Sequence, residues 1–251
     1  VSYMRGRTKT FQAVFRVRSV AAFAIHDYFQ KNNYLYAMTP LITGTDCEGS
    51  NQMFKVSTFD FNDIPVDKDG KVDFSKDLFS KQVYITGSGQ LHGEAMAMSF
   101  KKIYTFGPTF RTENSNTKVH ANEFWMIEPE MAFTTHEASL EVQEAYVKHL
   151  IKSVIDNQTY ALNELERDIS VLEKYVNTPF KKITYDDAVS LLQDNQADND
   201  YEEITWGDDF GSPHETRISN HFGLPTFIIN YPKAIKAFYM KPHPTRDDVV
   251  I

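Results

Sequence analysis

The sequence predicts an α+β fold in which an antiparallel sheet is flanked by helices, and three observations carry that expectation. Between Phe11 and Asn33 the apolar residues Phe11, Val14, Phe15, Ala22, Ile25, Tyr28 and Phe29 recur at steps of three and four, the spacing of one buried helical stripe. Two runs with strand character, Ile103–Arg111 and Glu123–Phe133, flank the polar stretch Thr112–Asn122, so they read as an antiparallel hairpin with a long loop. No internal repeat and no linker divides the 251 residues, and the whole of 1–251 reads as one domain.

The first helix is expected to end at Asn32 and Asn33, since asparagine tolerates a left-handed terminus. "YLYAMTPLIT" follows as a strand, and Pro40 within it has no N–H for a central ladder, which places it at an edge or an interface. The loop "TGTDCEGSNQ" leads to a strand, "MFKVST". Residues 59–81 read as an exposed, hairpin-like insertion turning at "DKDG". "QVYIT" is a strand, "GSGQ" a turn, and "LHGEAMAMSF" a short helix whose Met and Ala stripe belongs to the core. Beyond the hairpin, Thr134 with Glu137 forms a capping-box signal, opening a helical region that reaches about Val176 with a break near "DNQT". "KKITY" reads as a strand, "YDDAVSLLQ" as a helix, "SPHETRISNHF" as a helix stopped by Gly223, and "PTFIINYP" and "KAFYM" as two further strands.

Composition narrows the function classes. Hydrophobic residues at 41% and aromatics at 14% suit a globular chain. No apolar run approaches the roughly 20 residues a membrane helix needs, and "VSYMRGRTKT" lacks a signal-peptide core, so the expectation is a cytoplasmic protein with no membrane contact. The single Cys47 forms no internal disulfide, and without CxxC or HExxH a structural zinc site is not expected; any metal arrives with a substrate. A net charge of −8 argues against holding nucleic acid by general attraction, and the basic residues Arg5, Arg7, Lys9, Arg16 and Arg18 read as a solvated face.

Arg111 ends a strand, where a planar guanidinium can meet a carboxylate or phosphate through two parallel hydrogen bonds. Alone, with Glu113 two residues on, it reads as a surface pair. However, "FGPTFRTENSNTKVHANEFWMIEPEMAF" resembles motif 2 of class II aminoacyl-tRNA synthetases in the form seen in asparaginyl-tRNA synthetases. "NNYLYAMTPLIT" resembles motif 1, "TGTDCEGSNQMF" and "TGSGQLHGE" resemble the substrate loops of the aspartyl/asparaginyl branch, and "WGDDFGSPHE" and "YPKAIKAFYM" resemble later segments of that catalytic domain. Two pieces of the family pattern lie outside the sequence, the N-terminal anticodon-binding barrel and motif 3, so the chain reads as a catalytic domain incomplete at its C-terminus that alone binds ATP poorly and turns over little.

The resemblance implies that asparagine and ATP give asparaginyl-adenylate, whose acyl group moves to tRNA(Asn). Arg111 would bind the α-phosphate, Phe124 would stack under adenine, Glu113 would fix the adenine end and His120 would lie near the terminal phosphates. Glu48 and Gln90 match positions holding the substrate's α-amino group or carboxylate, and Glu130 joins them. Glu128 and Glu130, two apart on a strand, share one side of the sheet; either would hold Mg2+ indirectly, the ion entering with ATP near Glu128, or brace the motif 2 arginine, or pair with Lys or Arg. Aspartyl enzymes carry a lysine near Gly93, whereas "QLHGEAM" offers Gly93 and Glu94. Glu94 can accept from an asparagine amide and repels aspartate; at about 4 Å and an effective dielectric near 20, like charges cost about 4 kcal/mol, as an upper figure. The resemblance further implies a homodimer through motif 1, its long helix and Pro40, and places the basic run Arg5–Arg18 beside tRNA or the partner subunit. Two alternatives stay open: a synthetase-like asparagine synthetase or aspartyl-tRNA synthetase adenylating aspartate, and a non-catalytic binding module.

Overall fold

The computed structural model describes residues 2–47, 53–112, 121–194 and 201–251. Its contacts gather in two compact units, one of His26–Thr134 and one of Val1–Ile25 with Thr135–Ile251. Helix α1 (Lys9–Lys31) contributes residues 9–25 to one unit and 26–31 to the other and ends as expected, with Asn33 in the left-handed region at φ 62°. Its apolar stripe is buried only in part. Ala13, Ala24, Ile25 and Phe29 are covered, whereas Val14, Phe15 and Phe23 are exposed, Phe23 by 72%. Among the described residues no helix is long and apolar enough to cross a membrane.

In the unit His26–Thr134 the strand expected over 34–43 is interrupted. It forms two short pieces, β1 (Leu35–Tyr36) and β2 (Ile42–Thr43), which join different sheets. Pro40 falls in the break, where its missing N–H costs nothing. Strands β3 (Lys55–Val56) and β4 (Val83–Ile85) complete the antiparallel sheet β2-β4-β3. Between them, Val66 bridges Val72 across a turn in which Gly70 donates its N–H to the Asp67 carbonyl at 3.1 Å, the turn expected at "DKDG". Helix α2 (Gln90–Phe100) precedes the long hairpin of β5 (Lys102–Phe110) and β6 (Glu123–Met131), which match the sequence expectation to within two residues at each end. β1 adds to β5 in parallel, a pairing outside the antiparallel expectation.

The β1-β5-β6 sheet is covered on both faces. On one, the last turns of α1 reach Tyr104, fully buried, whose hydroxyl meets His26 Nδ1 at 2.8 Å and accepts from Gln30 Nε2 at 3.2 Å while its ring stacks on Phe29. On the other, α2 approaches closely through two glycines one turn apart. A Cβ on Gly89 would stand 2.9 Å from Thr39 Oγ1 and 3.0 Å from Thr105 Cγ2, and one on Gly93 would stand 3.3 Å from Ile103 Cδ1. At Gly89 a side chain would push the helix off the sheet, whereas at Gly93 the Ile103 methyl need give by only a few tenths of an ångström.

The unit Val1–Ile25 with Thr135–Ile251 is mainly helical. α3 (His136–Glu164) starts at Thr135 rather than Thr134: the Thr135 hydroxyl accepts the Ala138 N–H at 3.2 Å. It kinks at Gln158, φ −137°, inside the "DNQT" break, and α4 (Ile169–Asn177) follows. β7 (Lys181–Thr184) and β8 (Thr226–Ile229) pair in parallel, with α5 (Tyr185–Asp194) and α6 (Ser212–Phe222) between them in the chain. Ile183, Ala188, Leu192, Tyr201, Ile204 and Ile218 form their core. Gly223 closes α6 at φ 59°. The strand expected at "KAFYM" is absent. Those residues follow a short 3-10 turn, Lys233–Ile235, and leave Phe238 exposed by 97%; the strand β9 (Tyr231–Pro232) pairs instead with β10 (Val249–Val250). Strand composition alone does not make a strand; the pairing partner decides.

Candidate active site

The hairpin register decides which residues can act together. Thr105 pairs with Glu128, Ile103 with Glu130 and Thr109 with Phe124, so Phe124, Glu128 and Glu130 share the face on which α2 lies. The expectation that the two glutamates face one side is met.

Glu128 is the knot of this face. One carboxylate oxygen accepts from the Ser88 hydroxyl; the other accepts the Gly89 N–H at 3.1 Å and the Thr105 hydroxyl at 2.7 Å. Gly89 is the N-cap of α2 and has no side chain to cap it, so a carboxylate from the neighbouring strand takes the role. Ser88 Oγ meanwhile accepts the Gln90 N–H at 3.0 Å. Through these bonds Glu128 ties the Ser88–Gly89 turn to β5. Its oxygens already face three protein donors, and among the described residues no three His, Cys, Asp or Glu side chains are grouped to hold a metal ion. No ion pair with Lys or Arg forms at Glu128 or Glu130 among the described residues.

Arg111 follows β5 at the hairpin tip. Its backbone stays in the ladder, the N–H reaching the Asn122 carbonyl at 3.1 Å and the Arg111 carbonyl accepting from Asn122 Nδ2 at 2.8 Å. Its side chain donates through Nε to the Gly87 carbonyl at 3.1 Å, and its guanidinium carbon lies 5.7 Å from the centre of the Phe124 ring. One turn, Gly87 to Gln90, therefore touches Arg111 at one end and Glu128 at the other.

Gln90 and Glu94, one helical turn apart on α2, are joined by a bond from Gln90 Nε2 to Glu94 Oε1 of 2.8 Å, while the Cys47 thiol faces Gln90 Oε1 at 3.5 Å. Glu130 lies against the same helix, its Cγ 3.4 Å from where a Cβ of Gly93 would stand. Burial, then Glu94, then Glu128 push the Glu130 carboxyl up to about 7.

Arg111, Phe124, Gln90, Glu94, Glu128 and Glu130 are thus brought together. Glu48, Glu113 and His120 lie outside the described residues. The supporting atoms that sequence reasoning missed are Gly87, Ser88 and Thr105. A polar "TGSG" turn ahead of a helix was a usable hint for the first two; Thr105 becomes visible only once the hairpin register is known.

Residues 1–250 match the family model described as tRNA synthetases class II (D, K and N). The chain is 48% identical over 247 residues to an asparagine--tRNA ligase of Clostridium tetani, covering 96% of this chain and 53% of that protein. It is 45% identical to the asparagine--tRNA ligase of Lactococcus lactis subsp. cremoris, covering 98% of this chain and 51% of the relative. Among solved structures, the asparaginyl-tRNA synthetase of Pyrococcus horikoshii complexed with asparaginyl-adenylate superposes with a TM-score of 0.82 at 27% identity, over 98% of this chain and 51% of that one. The chain spans about half the length of the curated relatives it matches. With the model matched from the first residue to the last but one, the chain belongs to the class II tRNA synthetase family for D, K and N.

Proposed function

We propose that this chain carries the site at which asparagine and ATP form asparaginyl-adenylate, from which the acyl group passes to the 3′ end of tRNA(Asn). The observation that supports it most is the Gly87–Gln90 turn, which fixes Arg111 through Gly87 and the amino-acid-facing end of α2 through Glu128. In the reaction a carboxylate oxygen attacks the α-phosphorus and pyrophosphate leaves. Both reactants are negative, so fixed positive charge and in-line placement are what the protein must supply. Arg111 supplies the charge at the α-phosphate, and the Phe124 ring beside it supports adenine. On the resemblance, Glu113 fixes the adenine end and His120 meets the terminal phosphates. Magnesium enters as part of the triphosphate substrate, and Glu128 acts as a brace.

Glu48 and Gln90 hold the α-amino and carboxylate groups, and Glu94 reads the side chain. Glu94 is exposed, so its repulsion of aspartate falls well below the 4 kcal/mol upper figure, to about 1–2 kcal/mol. The reading is tested by asparagine- and aspartate-dependent pyrophosphate exchange with the full-length protein, with an added arm of aspartate plus ammonia. Glu94→Gln is expected to lower the preference for asparagine roughly tenfold; an unchanged preference contradicts it.

The same reading makes the protein a cytoplasmic homodimer and takes residues 1–251 as catalytic domain, with 59–81 as an exposed insertion. Met38 and Leu41 around Pro40 support the motif 1 interface, since both are apolar and exposed.

A further inference from the structure

The small sheet β2-β4-β3 has one apolar and one polar face, because its residues alternate. Ile42 pairs with Ile85 and Val56 with the buried Val83, whereas Thr43, Tyr84 and Lys55 form a row across the three strands on the opposite side. Met53 and Gln82, two residues from Lys55 and Tyr84, fall on that same side, and with Gly44 and Asp46 these residues line a cavity of ≈ 400 Å³. The Lys81 ammonium stands at its Gly44 edge, 3.6 Å from where a Cβ of Gly44 would be.

The polar side is unsatisfied. Among the described residues Lys55 and Lys81 meet no carboxylate, and the Gln82 amide and Tyr84 hydroxyl bond no protein group, while Asp46, the acid of the lining, is engaged. Two unpaired cations beside a ring and two neutral hydrogen-bonding groups suit a phosphate that carries a flat base, the combination by which proteins hold single-stranded nucleic acid. Free ATP and the end of a strand share that chemistry. Position favours the strand. β4 runs directly into the turn whose Gly87 carbonyl holds Arg111, and Tyr84 precedes Gly87 by three residues, at most about 10 Å at 3.3 Å per residue. About three nucleotides at the stacked rise of 3.4 Å cover that span, and fewer when the strand is extended.

We propose that the cavity on β3 and β4 receives the single-stranded 3′ end of the tRNA, with Lys55 and Lys81 on the phosphodiesters that precede the terminal nucleotide and Tyr84 supporting a base, while the terminal ribose reaches the adenylate beside Arg111. The proposal rests on the asparagine-charging reading above and adds to it where the acceptor strand lies. Cations placed locally in this way are what a chain of net charge −8 needs to hold a polyanion.

The test uses the full-length protein with Lys55→Ala and Lys81→Ala combined, and with both lysines changed to Arg, in two assays. Asparagine-dependent pyrophosphate exchange needs no tRNA, and its kcat and its KM for ATP and asparagine are expected within about twofold of the unmodified protein in both variants. In charging of tRNA(Asn) the KM for tRNA is expected to rise roughly tenfold or more for the Ala pair and less than about threefold for the Arg pair, with a log–log salt slope of tRNA binding shallower by about one to two in the Ala pair. A tRNA lacking its last three nucleotides should bind the Ala pair and the unmodified protein equally. An unchanged KM for tRNA overturns the proposal. So does a loss that persists with the shortened tRNA, which puts the contact elsewhere on the tRNA, and so does a raised KM for ATP in exchange, which gives the cavity to the free nucleotide. Absence of asparagine-dependent exchange in the unmodified protein overturns the charging reading and this proposal with it, whereas normal exchange with an indifferent Ala pair overturns this proposal alone.

Discussion

Glu128 on the second strand of the hairpin accepts the backbone N–H of Gly89, the N-cap of α2, at 3.1 Å. A strand side chain thereby sets where a helix begins, and Gln90 and Glu94 inherit their positions from it. Removing the carboxylate strands that N–H and two hydroxyls. Glu128→Ala is expected to lose about 2–3 kcal/mol of stability and Glu128→Gln somewhat less, because an amide keeps one acceptor. Urea denaturation measures both, and a loss below about 0.5 kcal/mol for Ala contradicts the capping role.

The close approach of α2 sets an ordering. Gly89→Ala places its methyl 2.9 Å from Thr39 Oγ1 and 3.0 Å from Thr105 Cγ2, while Gly93→Ala places it 3.3 Å from Ile103 Cδ1 and 3.4 Å from Glu130 Cγ. Alanine at 93 also regains helix propensity of about 1 kcal/mol. Gly89→Ala should therefore cost about 2 kcal/mol and Gly93→Ala close to zero. Melting curves of the two variants decide it, and the reverse order would mean that α2 stands farther off the sheet at Gly89 than at Gly93.

Glu130 predicts a pH dependence. Its carboxyl is pushed up to about 7, above the 4.5 of an exposed glutamate, by burial first and then by Glu94 and Glu128. Between about 4.5 and 7 the folded chain binds more of this proton than the unfolded chain, so its contribution to stability falls as pH rises through that window and is level above it. Solvent reaches a half-buried group, which limits the effect to about 1 kcal/mol. Glu130→Gln should match the unmodified chain near pH 4.5 and exceed it by about 1 kcal/mol at pH 8. A stability difference that does not change with pH contradicts this.

These relationships mark what the sequence could reveal. The three-four spacing from Phe11 to Phe29 and the apolar runs on either side of residues 112–122 placed α1, β5 and β6, because local periodicity records which face is buried. The period said nothing about partners. The parallel pairs β1–β5 and β7–β8, and the splitting of 34–43 between two sheets, depend on neighbours far along the chain. "KAFYM" had strand composition but joins no sheet among the described residues, and Thr134 yielded to Thr135 because a cap is fixed by one hydroxyl's reach, finer than a pattern resolves. For the candidate site, Arg111, Phe124, Gln90, Glu94, Glu128 and Glu130 were named through resemblance alone. The bonds of Glu128 to Ser88, Gly89 and Thr105 exist only once β6 has paired with β5 and α2 has settled on them.

The central claim is that the Arg111 guanidinium, steadied by the Gly87 carbonyl, meets the α-phosphate as the adenylate forms. Lysine lacks the planar fork and reaches neither group in the same geometry, so Arg111→Lys is a sharper probe than Arg111→Ala. Asparagine-dependent ATP–pyrophosphate exchange by the full-length protein should fall on the order of a hundredfold or more in Arg111→Lys, with the melting temperature within a few degrees of the unmodified protein. Exchange retained within threefold in that variant would contradict the account.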